Sequence, residues 1–283
     1  MWNGRRKIKM NFKKLEKKSQ EIRKYIFNVV KIRGGHLSTA YSATDILVTL
    51  YYTNLLNINN RNYKKKDRNF FLLSKGHGET LLYALLVDKK IIPKNHFELH
   101  YRAGQNKLGG HVDISNPGIE ITSGALGHGL GIGCGIALGY KIKKSKKNIF
   151  VLLGDAECSE GSIWEAALFA KKHKLNNLIA IVDNNKIGAT NFTSNFTSVE
   201  PIDRKFLSFG WNVKKCNGHS VKSIYKHLNS FKNVNLSKPS VLICNTVKGK
   251  GISFLENDPT WHSRGLNEDQ KILGMKELLK NEK

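Results

Sequence analysis

The chain has 283 residues, of which 40% are hydrophobic, and its 47 Lys and Arg against 22 Asp and Glu give a formal net charge of +25. This length allows one large domain or two small ones, and no apolar run approaches the roughly 18 residues of a membrane span. The cations are spread along the chain, and 38 are Lys while nine are Arg, whereas base reading favours Arg. We attribute the charge mainly to the codon bias of an AT-rich genome and do not expect a nucleic-acid partner.

The N-terminus and the cysteines bear on the compartment. Residues 1–11 read as a basic extension that lacks the apolar core of a secretory signal. The chain has four cysteines, and none of them forms a C-x-x-C pair, which indicates a reduced compartment. We therefore expect a cytoplasmic protein whose single folded domain spans residues 12–283.

Helices and strands alternate along the chain. A basic amphipathic helix is predicted over residues 12–32, and a second helix over 42–56 is expected to be capped at Ser42 or Thr44. The later elements are a strand at 69–74, a helix at 78–90, an extended run at 118–124, a glycine-rich segment at 125–144, a strand at 148–154, a helix at 160–174, a strand at 177–185, a strand at 212–216, a helix at 218–231 and a strand at 240–249. This order predicts an α/β fold, a parallel sheet with helices on both faces.

Two oxygen-bearing side chains follow neighbouring predicted strands. Asp155 and Asn185 are separated by about the length of one strand–helix–strand crossover. That crossover places both at the carboxyl edge of the sheet, where such folds bind ligands. Their oxygens suit Mg²⁺ or Ca²⁺ if a phosphate completes the coordination, and the Ile187 carbonyl could supply a third protein oxygen. Taken singly, each residue also has a plain interpretation, because Asp and Asn are common in turns after strands.

Three neighbouring features have structural interpretations. Ser162 and Glu165 have the spacing of a capping box that would open the helix at 160–174. Glu160 fits a helix N-terminus, where the helix dipole favours a carboxylate. Cys158 is expected to be structural.

Glycine precedes five of the ten histidines, namely His36, His77, His111, His128 and His219. A single Gly-His pair is usually a turn. Several such pairs at predicted loops favour a cleft lined with imidazoles, because glycine permits sharp loops. Imidazoles suit proton transfer and the recognition of sugar hydroxyls near neutral pH.

Several segments resemble the transketolase family. The pattern GD…E-G…EA…NLIAIVDNNKI resembles the thiamine-diphosphate motif, which begins Gly-Asp-Gly and ends in a pair of asparagines. The segments GGHLSTAYSATDILVTLYY, FLLSKGHGETLLYALL, LGGHVD, PGIEITSGALGHGLGIGCGIALG and NTVKGKGISFLENDPTWH follow the order expected for transketolase. The resemblance covers nearly the whole chain after residue 12. Its last segment looks most like the separately encoded N-terminal half of two-subunit transketolases.

The resemblance implies a thiamine-diphosphate fold and assigns roles to individual residues. Asp155, Asn185 and the Ile187 carbonyl would bind the metal, Mg²⁺ or Ca²⁺. The residues implied to contact thiamine diphosphate are His77, Gly124, Leu126, Gly154, Asp155, Ala156, Asn185 and His262. The residues implied to be catalytic are His36, His77, His111, His262 and Glu160. Among these, His36 and His111 would hold substrate hydroxyls and shuttle protons, and Glu160 resembles an acidic residue buried between the two cofactor sites of the dimer.

Two positions depart from the family pattern. Ala156 stands where the motif has glycine, and alanine would cost about 1 kcal/mol there if the position needs positive φ. The sequence GHLS, which begins at Gly35, differs from the usual His-Pro-Gly or His-Ile-Gly. We therefore expect the loop after His36 to differ in shape, with Ser38 as the residue that would compensate.

The implied activity is transfer of a two-carbon ketol unit from a ketose phosphate to an aldose phosphate, as in the pentose phosphate pathway. The sequence has no room for the domain that binds the pyrimidine ring of the cofactor, so we expect a separate C-terminal subunit within a heterotetramer. Three alternatives remain open. The first is another thiamine enzyme, such as 1-deoxyxylulose 5-phosphate synthase or a dehydrogenase E1 component. The second is a polyanion-binding protein that uses the +25 charge, and the third is a non-catalytic subunit kept for assembly.

Overall fold

The computed structural model describes residues 10–65, 68–104, 108–197, 199–231 and 237–280. Of the expected basic extension at 1–11, residues 1–9 lie outside these ranges. The first helix begins at Phe12, as predicted, and the Asn11 side chain caps it by accepting a hydrogen bond from the Lys14 amide at 3.0 Å.

Five parallel strands form one sheet in the order β1-β2-β3-β5-β4. The strands are β1 (Phe70–Leu73), β2 (Ile149–Gly154), β3 (Leu178–Asn184), β4 (Asn212–Asn217) and β5 (Ser240–Asn245). All five lie where the sequence predicts strands. Four of them are short, mainly apolar runs, whereas β4 has only Val213 and Cys216 as apolar residues.

The helices connect these strands and cover the sheet. In the described ranges they are α1 (Phe12–Arg33), α2 (Leu37–Tyr52), α3 (Glu79–Asp88), α4 (Lys94–His100), α5 (His128–Ile142), α6 (Gly161–Lys172), α7 (Thr193–Phe196), α8 (Ile202–Ser208), α9 (Val221–Ser230) and α10 (Glu268–Lys280). None of them is long and apolar enough to cross a membrane.

Two hydrophobic cores lie on opposite faces of the sheet. Successive side chains of a strand point to opposite faces, so Phe150 and Leu152 of β2 join the core formed with α1, α2, α3 and α9. Val151 and Leu153 join the second core, formed with α5, α6 and α8. This arrangement confirms the predicted α/β fold with helices on both faces.

The second helix begins earlier than its sequence predicts. Gly34 and Gly35 have φ of 71° and 134°, a conformation that glycine adopts readily, and α2 starts directly after His36. Ser42 and Thr44 therefore lie inside the helix, where their hydroxyls donate to the carbonyls of Thr39 and Ala40. The predicted cap at Ser42 or Thr44 is wrong, because a backbone turn rather than a side chain starts the helix.

The capping box predicted for α6 is also wrong. The helix begins at Gly161, and the Ser162 hydroxyl donates to the Gly127 carbonyl at 3.1 Å instead of capping the helix. Glu160 occupies the N-cap position without a side-chain capping bond. The run at 118–124 joins no strand of the described sheet and continues as a loop into α5.

Candidate active site

The carboxyl ends of four neighbouring strands carry polar side chains. Lys75 follows β1, Asp155 follows β2, Asn185 follows β3 and Lys248 follows β5. All four residues are buried, with Lys75 and Lys248 each only 1% exposed. This edge of the sheet is where the topology predicts a ligand site.

Asp155 connects the ends of β2 and β3. Its Oδ1 accepts from the Ala156 amide at 2.9 Å, and its Oδ2 accepts from the Lys186 amide, one residue beyond Asn185. The Asn185 Oδ1 accepts from the Ile187 amide at 3.0 Å. The predicted proximity of Asp155 and Asn185 at one sheet edge is therefore confirmed.

The charges around Asp155 fit a cation. Burial and the nearby Asp183 raise the pKa of Asp155 to about 6, because both disfavour the charged carboxylate. In the described part of the chain no group of three or more His, Cys, Asp or Glu side chains could hold a metal. A cation here would therefore rely on Asp155, on amide and carbonyl oxygens and on a ligand phosphate, a donor set that suits Mg²⁺ or Ca²⁺.

Four imidazoles come together above this edge. The ring centroids of His36 and His262 lie 5.3 Å apart, those of His77 and His262 5.1 Å, and those of His36 with His77 and with His111 both 5.9 Å. Three of the five Gly-His residues, His36, His77 and His111, therefore come together as the sequence predicts, and His262 joins them. The other two Gly-His residues lie elsewhere, since His128 is exposed at the start of α5 and His219 binds Asp45.

Two imidazoles of the cluster are held neutral. Burial and the Lys75 ammonium lower the pKa of His77 well below its usual value. Burial and the adjacent Lys248 ammonium lower the pKa of His262 to about 3. Both rings are therefore uncharged at neutral pH and can each offer one donor and one acceptor nitrogen.

Comparison with known proteins identifies the family. A family model described as transketolase, thiamine diphosphate binding domain, matches residues 16–281. The chain belongs to the transketolase family. It is a transketolase-type subunit that carries the thiamine-diphosphate-binding domain.

Two relatives of this chain are named as transketolase subunits. One of them, a subunit of the apulose-4-phosphate transketolase of Actinobacillus succinogenes, is 39% identical over 272 residues, which is 95% of this chain and 97% of that protein. The 6-deoxy-6-sulfo-D-fructose transketolase subunit SqwG of a Clostridium species is 34% identical over 94% of this chain and 96% of its own length.

A solved transketolase shares the fold. The transketolase of Campylobacter jejuni superimposes with a TM-score of 0.88 at 29% identity, covering 95% of this chain. The chain spans 43% of the length of that protein.

The two departures from the transketolase pattern do not disturb the fold. Ala156 opens a 3-10 turn over Ala156–Ser159 and does not have positive φ, so the expected cost of alanine does not arise. The Ser38 hydroxyl donates to the Trp261 carbonyl at 2.7 Å, and the Gly249 amide donates to the Ser38 carbonyl at 2.9 Å. The segment after His36, expected as a loop, is the first turn of α2, and Ser38 ties this turn to the segment that carries His262.

The remaining site residues predicted from the transketolase resemblance lie around this edge or beside it. Gly154 ends β2, and Gly124 and Leu126 lie on the loop before α5. A Cβ on Gly124 would lie 3.5 Å from the His111 ring, so this loop borders the cleft. Glu160 is exposed at the start of α6.

Glu157 joins three loops of the site, a function that the sequence pattern did not indicate. Its side chain is buried and accepts from the Gly154 amide at 3.0 Å, from the Gly127 amide at 2.9 Å and from the Ser74 hydroxyl. The loops after β1 and β2 and the loop before α5 are therefore fixed relative to one another.

Two buried lysines and two buried carboxylates were also missed. Lys75 forms an ion pair with the fully buried Asp183. Lys248 donates to the Gly188 carbonyl and lies 3.2 Å from Nδ1 of His262, and burial and Lys75 lower its pKa to about 8. Glu79, fully buried, contacts His36. In the sequence, both lysines directly precede a glycine, in SKGH and VKGK. This pattern could have marked them as site residues, but it is hard to recognise among 38 lysines.

Proposed function

We propose that this chain is the diphosphate-binding subunit of a two-subunit transketolase that transfers a two-carbon ketol unit from a ketose phosphate to an aldose phosphate. The observation that carries the proposal is the cluster of four imidazoles beside the strand ends, where Lys248 contacts both His262 and the Gly188 carbonyl, three residues after Asn185. An anionic cofactor at the sheet edge would thus lie beside groups that bind hydroxyls and move protons.

The strand ends offer a place for thiamine diphosphate and its metal. Asp155, Asn185 and the Ile187 carbonyl would hold Mg²⁺ or Ca²⁺, and the two buried ammonium groups of Lys75 and Lys248 give the edge positive charge. The cofactor contacts that we assign to this chain are those of His77, Gly124, Leu126, Gly154, Asp155, Ala156, Asn185 and His262. When bound, thiamine diphosphate supplies the nucleophilic carbon and the electron sink that ketol transfer requires.

The histidines act on the substrate. His36 and His111 hold the hydroxyls of the sugar, and His36 takes up the hydroxyl proton that is released as the carbon–carbon bond breaks. The neutral rings of His77 and His262 donate hydrogen bonds to oxygen atoms at the reacting carbons. Glu160 lies outside this cleft, and we assign it to the contact between two cofactor sites of the assembly.

A separate C-terminal subunit completes the enzyme in this proposal. The relatives from Actinobacillus succinogenes and Clostridium are named as subunits, which supports a partner chain and a heterotetramer here. An uncovered apolar surface supports it as well, since Ile132 of α5 is 41% exposed and Leu168 and Phe169 of α6 are 55% and 40% exposed. We assign the enzyme to the cytoplasm, in keeping with its four free, buried cysteines.

Two substrate classes are candidates. Pentose phosphate sugars are the expectation for a transketolase, but two relatives are named for apulose 4-phosphate and for 6-deoxy-6-sulfofructose. Apulose 4-phosphate or 6-deoxy-6-sulfofructose is therefore the second candidate.

The proposal is tested with the tagged chain purified from its native lysate together with what binds it. Ketol transfer to ribose 5-phosphate is measured from xylulose 5-phosphate, apulose 4-phosphate and 6-deoxy-6-sulfofructose, with and without thiamine diphosphate and Mg²⁺. Cofactor-dependent transfer with a co-purifying second chain supports the proposal, and the best donor sets the substrate class.

Other outcomes favour the alternatives. Turnover of pyruvate with release of carbon dioxide would indicate another thiamine enzyme. Tight binding of duplex DNA at about 0.15 M salt, without transfer, would indicate a polyanion-binding protein. Full assembly without any cofactor-dependent transfer would indicate a non-catalytic subunit.

A further inference from the structure

His36 has a buried carboxylate as its partner on the side away from the cleft. Its Nδ1 lies 3.0 Å from Oε1 and 3.2 Å from Oε2 of Glu79, the first residue of α3. The Glu79 side chain is fully buried, and that of His36 is 13% exposed. A carboxylate accepts hydrogen bonds, so Nδ1 of His36 carries the proton.

A second contact holds Glu79 in place. The Tyr101 hydroxyl donates to Oε1 of Glu79 at 2.7 Å. Burial and the Glu79 charge raise the pKa of Tyr101, so this hydroxyl stays protonated and remains a donor. Glu79 is therefore fixed from two directions, by Tyr101 and by His36.

His262, the nearest imidazole to His36, has the opposite arrangement. The Lys248 ammonium lies 3.2 Å from Nδ1 of His262. An ammonium has only protons to offer, so Nδ1 of His262 accepts and its Nε2 carries the proton. The two ring centroids are 5.3 Å apart, which places an imidazole with a free Nε2 lone pair beside one with an Nε2–H.

We propose that Glu79 is a positioning residue that fixes His36 in the Nδ1–H form, so that His36 and His262 present one acceptor and one donor to the same sugar hydroxyl or carbonyl oxygen. The inference deepens the proposed function and rests on it. A hydroxyl that donates to Nε2 of His36 can pass its proton to that nitrogen, and the resulting imidazolium is then stabilised by the Glu79 carboxylate at Nδ1. The opposite tautomer of His36 would place a proton where the lone pair is needed.

The direct test is the protonation of the imidazole nitrogens in the full chain labelled with ¹⁵N-histidine. The nitrogen–proton correlations of His36, assigned with a His36→Gln variant, are expected to show a protonated Nδ1 and a bare Nε2 at neutral pH. A proton on Nε2 of neutral His36 would overturn the inference. This measurement needs no activity, so it remains decisive if the assembled protein shows no ketol transfer.

Glu79→Gln tests the contribution of the charge. A carboxamide can turn either its oxygen or its NH₂ toward Nδ1, so the single tautomer should become a mixture. The titratable groups around His36 are Glu79, His77, His111 and His262, with Tyr101 on Glu79 and Lys248 beside His262. We therefore follow His36 by its own resonances rather than by the activity profile alone.

Two further variants separate positioning from general damage. Glu98→Gln neutralises a half-exposed glutamate outside the cleft and should leave the His36 resonances and turnover unchanged. Glu79→Asp keeps the carboxylate and should restore much of the Nδ1–H form. For Glu79→Gln in the assembled enzyme we expect kcat to fall about 10- to 100-fold. This loss is no larger than the one expected on removing a positioned acid–base group itself. Unchanged His36 resonances and kcat in Glu79→Gln would show that Glu79 is only structural.

Discussion

The buried carboxylates at the sheet edge differ in what neutralises them. Asp183 accepts from the Lys75 ammonium and from two hydroxyls, those of Ser42 and Thr246. Glu157 accepts from two amides and the Ser74 hydroxyl. Within the described ranges, the donors to Asp155 are backbone amides alone. Of the three, Asp155 is therefore the one whose charge calls for a cation, and Glu157 is the one whose loss would separate loops.

Asp155→Ala should weaken cofactor binding that depends on Mg²⁺. Without the carboxylate the metal loses its only charged protein ligand in the proposed set, so we expect affinity for thiamine diphosphate to fall at least about 10-fold. Calorimetric titration of the full chain with the cofactor, with and without Mg²⁺, measures this. Asp203→Ala, which removes a carboxylate paired with the exposed Lys215, is the control. Equal affinity for Asp155→Ala and the unaltered chain would refute the metal assignment.

Glu157→Gln should destabilise the fold as well as the site. One of the acceptor oxygens becomes an NH₂ group that faces a donor, either the Gly154 amide or the Gly127 amide. An unsatisfied buried donor costs about 1–3 kcal/mol, and urea unfolding of the full chain should show a loss of this size. Glu268→Gln, at a side chain that is 83% exposed, should change the free energy of unfolding by less than about 0.5 kcal/mol. An equal effect for both variants would contradict the bonding described for Glu157.

Site residues could be predicted from the sequence where a local motif or a characteristic separation along the chain marks them. The glycine before His36, His77 and His111 marked the imidazole cleft, and the crossover length between Asp155 and Asn185 marked the sheet edge. Glu79 could not be predicted as the partner of His36, because the two are 43 residues apart and only packing of α2 against α3 brings them together.

Helix α5 has a closed face and an open face, distinguished by its glycines. A Cβ on Gly133 would lie 2.7 Å from Cγ2 of Val151 in β2, so this glycine allows the helix to pack closely on the sheet. A Cβ on Gly135 would contact nothing within 4 Å among the described residues. In the described part of the single chain, packing does not require glycine on the open face. Glycine there is consistent with a face that a partner covers.

Alanine at these two positions should have opposite effects. Gly133→Ala overpacks the core and should lower the free energy of unfolding by about 1–3 kcal/mol. Gly135→Ala should raise it by up to about 1 kcal/mol, because alanine is the better helix former. Thermal or urea unfolding of the full chain checks both signs, and destabilisation by Gly135→Ala would mean that the open face is packed in solution.

The same position tests the partner. Gly135→Gln places a larger polar side chain on the open face and should reduce co-purification of the second subunit while the chain itself stays folded. The control is Lys276→Gln, at an exposed position of α10, which packs on the other face of the sheet from α5. It should leave co-purification intact. Undiminished capture of the partner by Gly135→Gln would exclude this face from the interface.

Helices and strands could be predicted where the hydrophobic periodicity and the residue composition indicate the same structure. Their first and last residues were harder to predict. Four of the five strands could be recognised because their apolar runs are bounded by polar or glycine residues, whereas β4 has no such run. The start of α2 was misplaced because it depends on the φ of Gly34 and Gly35, which a sequence does not specify, whereas Ser42 and Thr44 looked like ordinary caps.

At the scale of the whole molecule, one buried polar group connects the helical layer with the end of the sheet. Asp45 of α2 binds the Arg23 guanidinium of α1 and Nδ1 of His219, which follows β4. Nε2 of His219 accepts from the Val247 amide, next to Lys248. The group thus links the first two helices to the loop that carries a lysine of the site.

This group should make stability sensitive to acid. Burial alone would raise the pKa of Asp45, but the Arg23 charge and the His219 bond outweigh it and lower that pKa below its usual value. A lowered carboxyl pKa means that the stabilisation is complete above the unfolded value of about 3.9 and is lost as the pH falls below it. Urea unfolding from pH 7 to pH 3 should show the loss.

Asp45→Asn isolates the contribution of the ion pair. The variant leaves the Arg23 charge buried without its partner, so we expect it to lose about 3–5 kcal/mol at neutral pH and to show a smaller decrease between pH 4 and pH 3 than the unaltered chain. Equal acid sensitivity in both proteins would assign the effect to other carboxylates.

The hydrogen bond from Ser38 to Trp261 has a consequence for the order in which the enzyme becomes competent. It joins residues 223 positions apart, and His36 and His262 lie just beside its two ends. A ribosome adding about 5–20 residues per second needs roughly 10–45 s to travel between them. During that time the sheet can assemble strand by strand while the cleft still lacks one wall. All five strands are therefore made before the segment that carries His262, so the sheet can form before the four imidazoles come together.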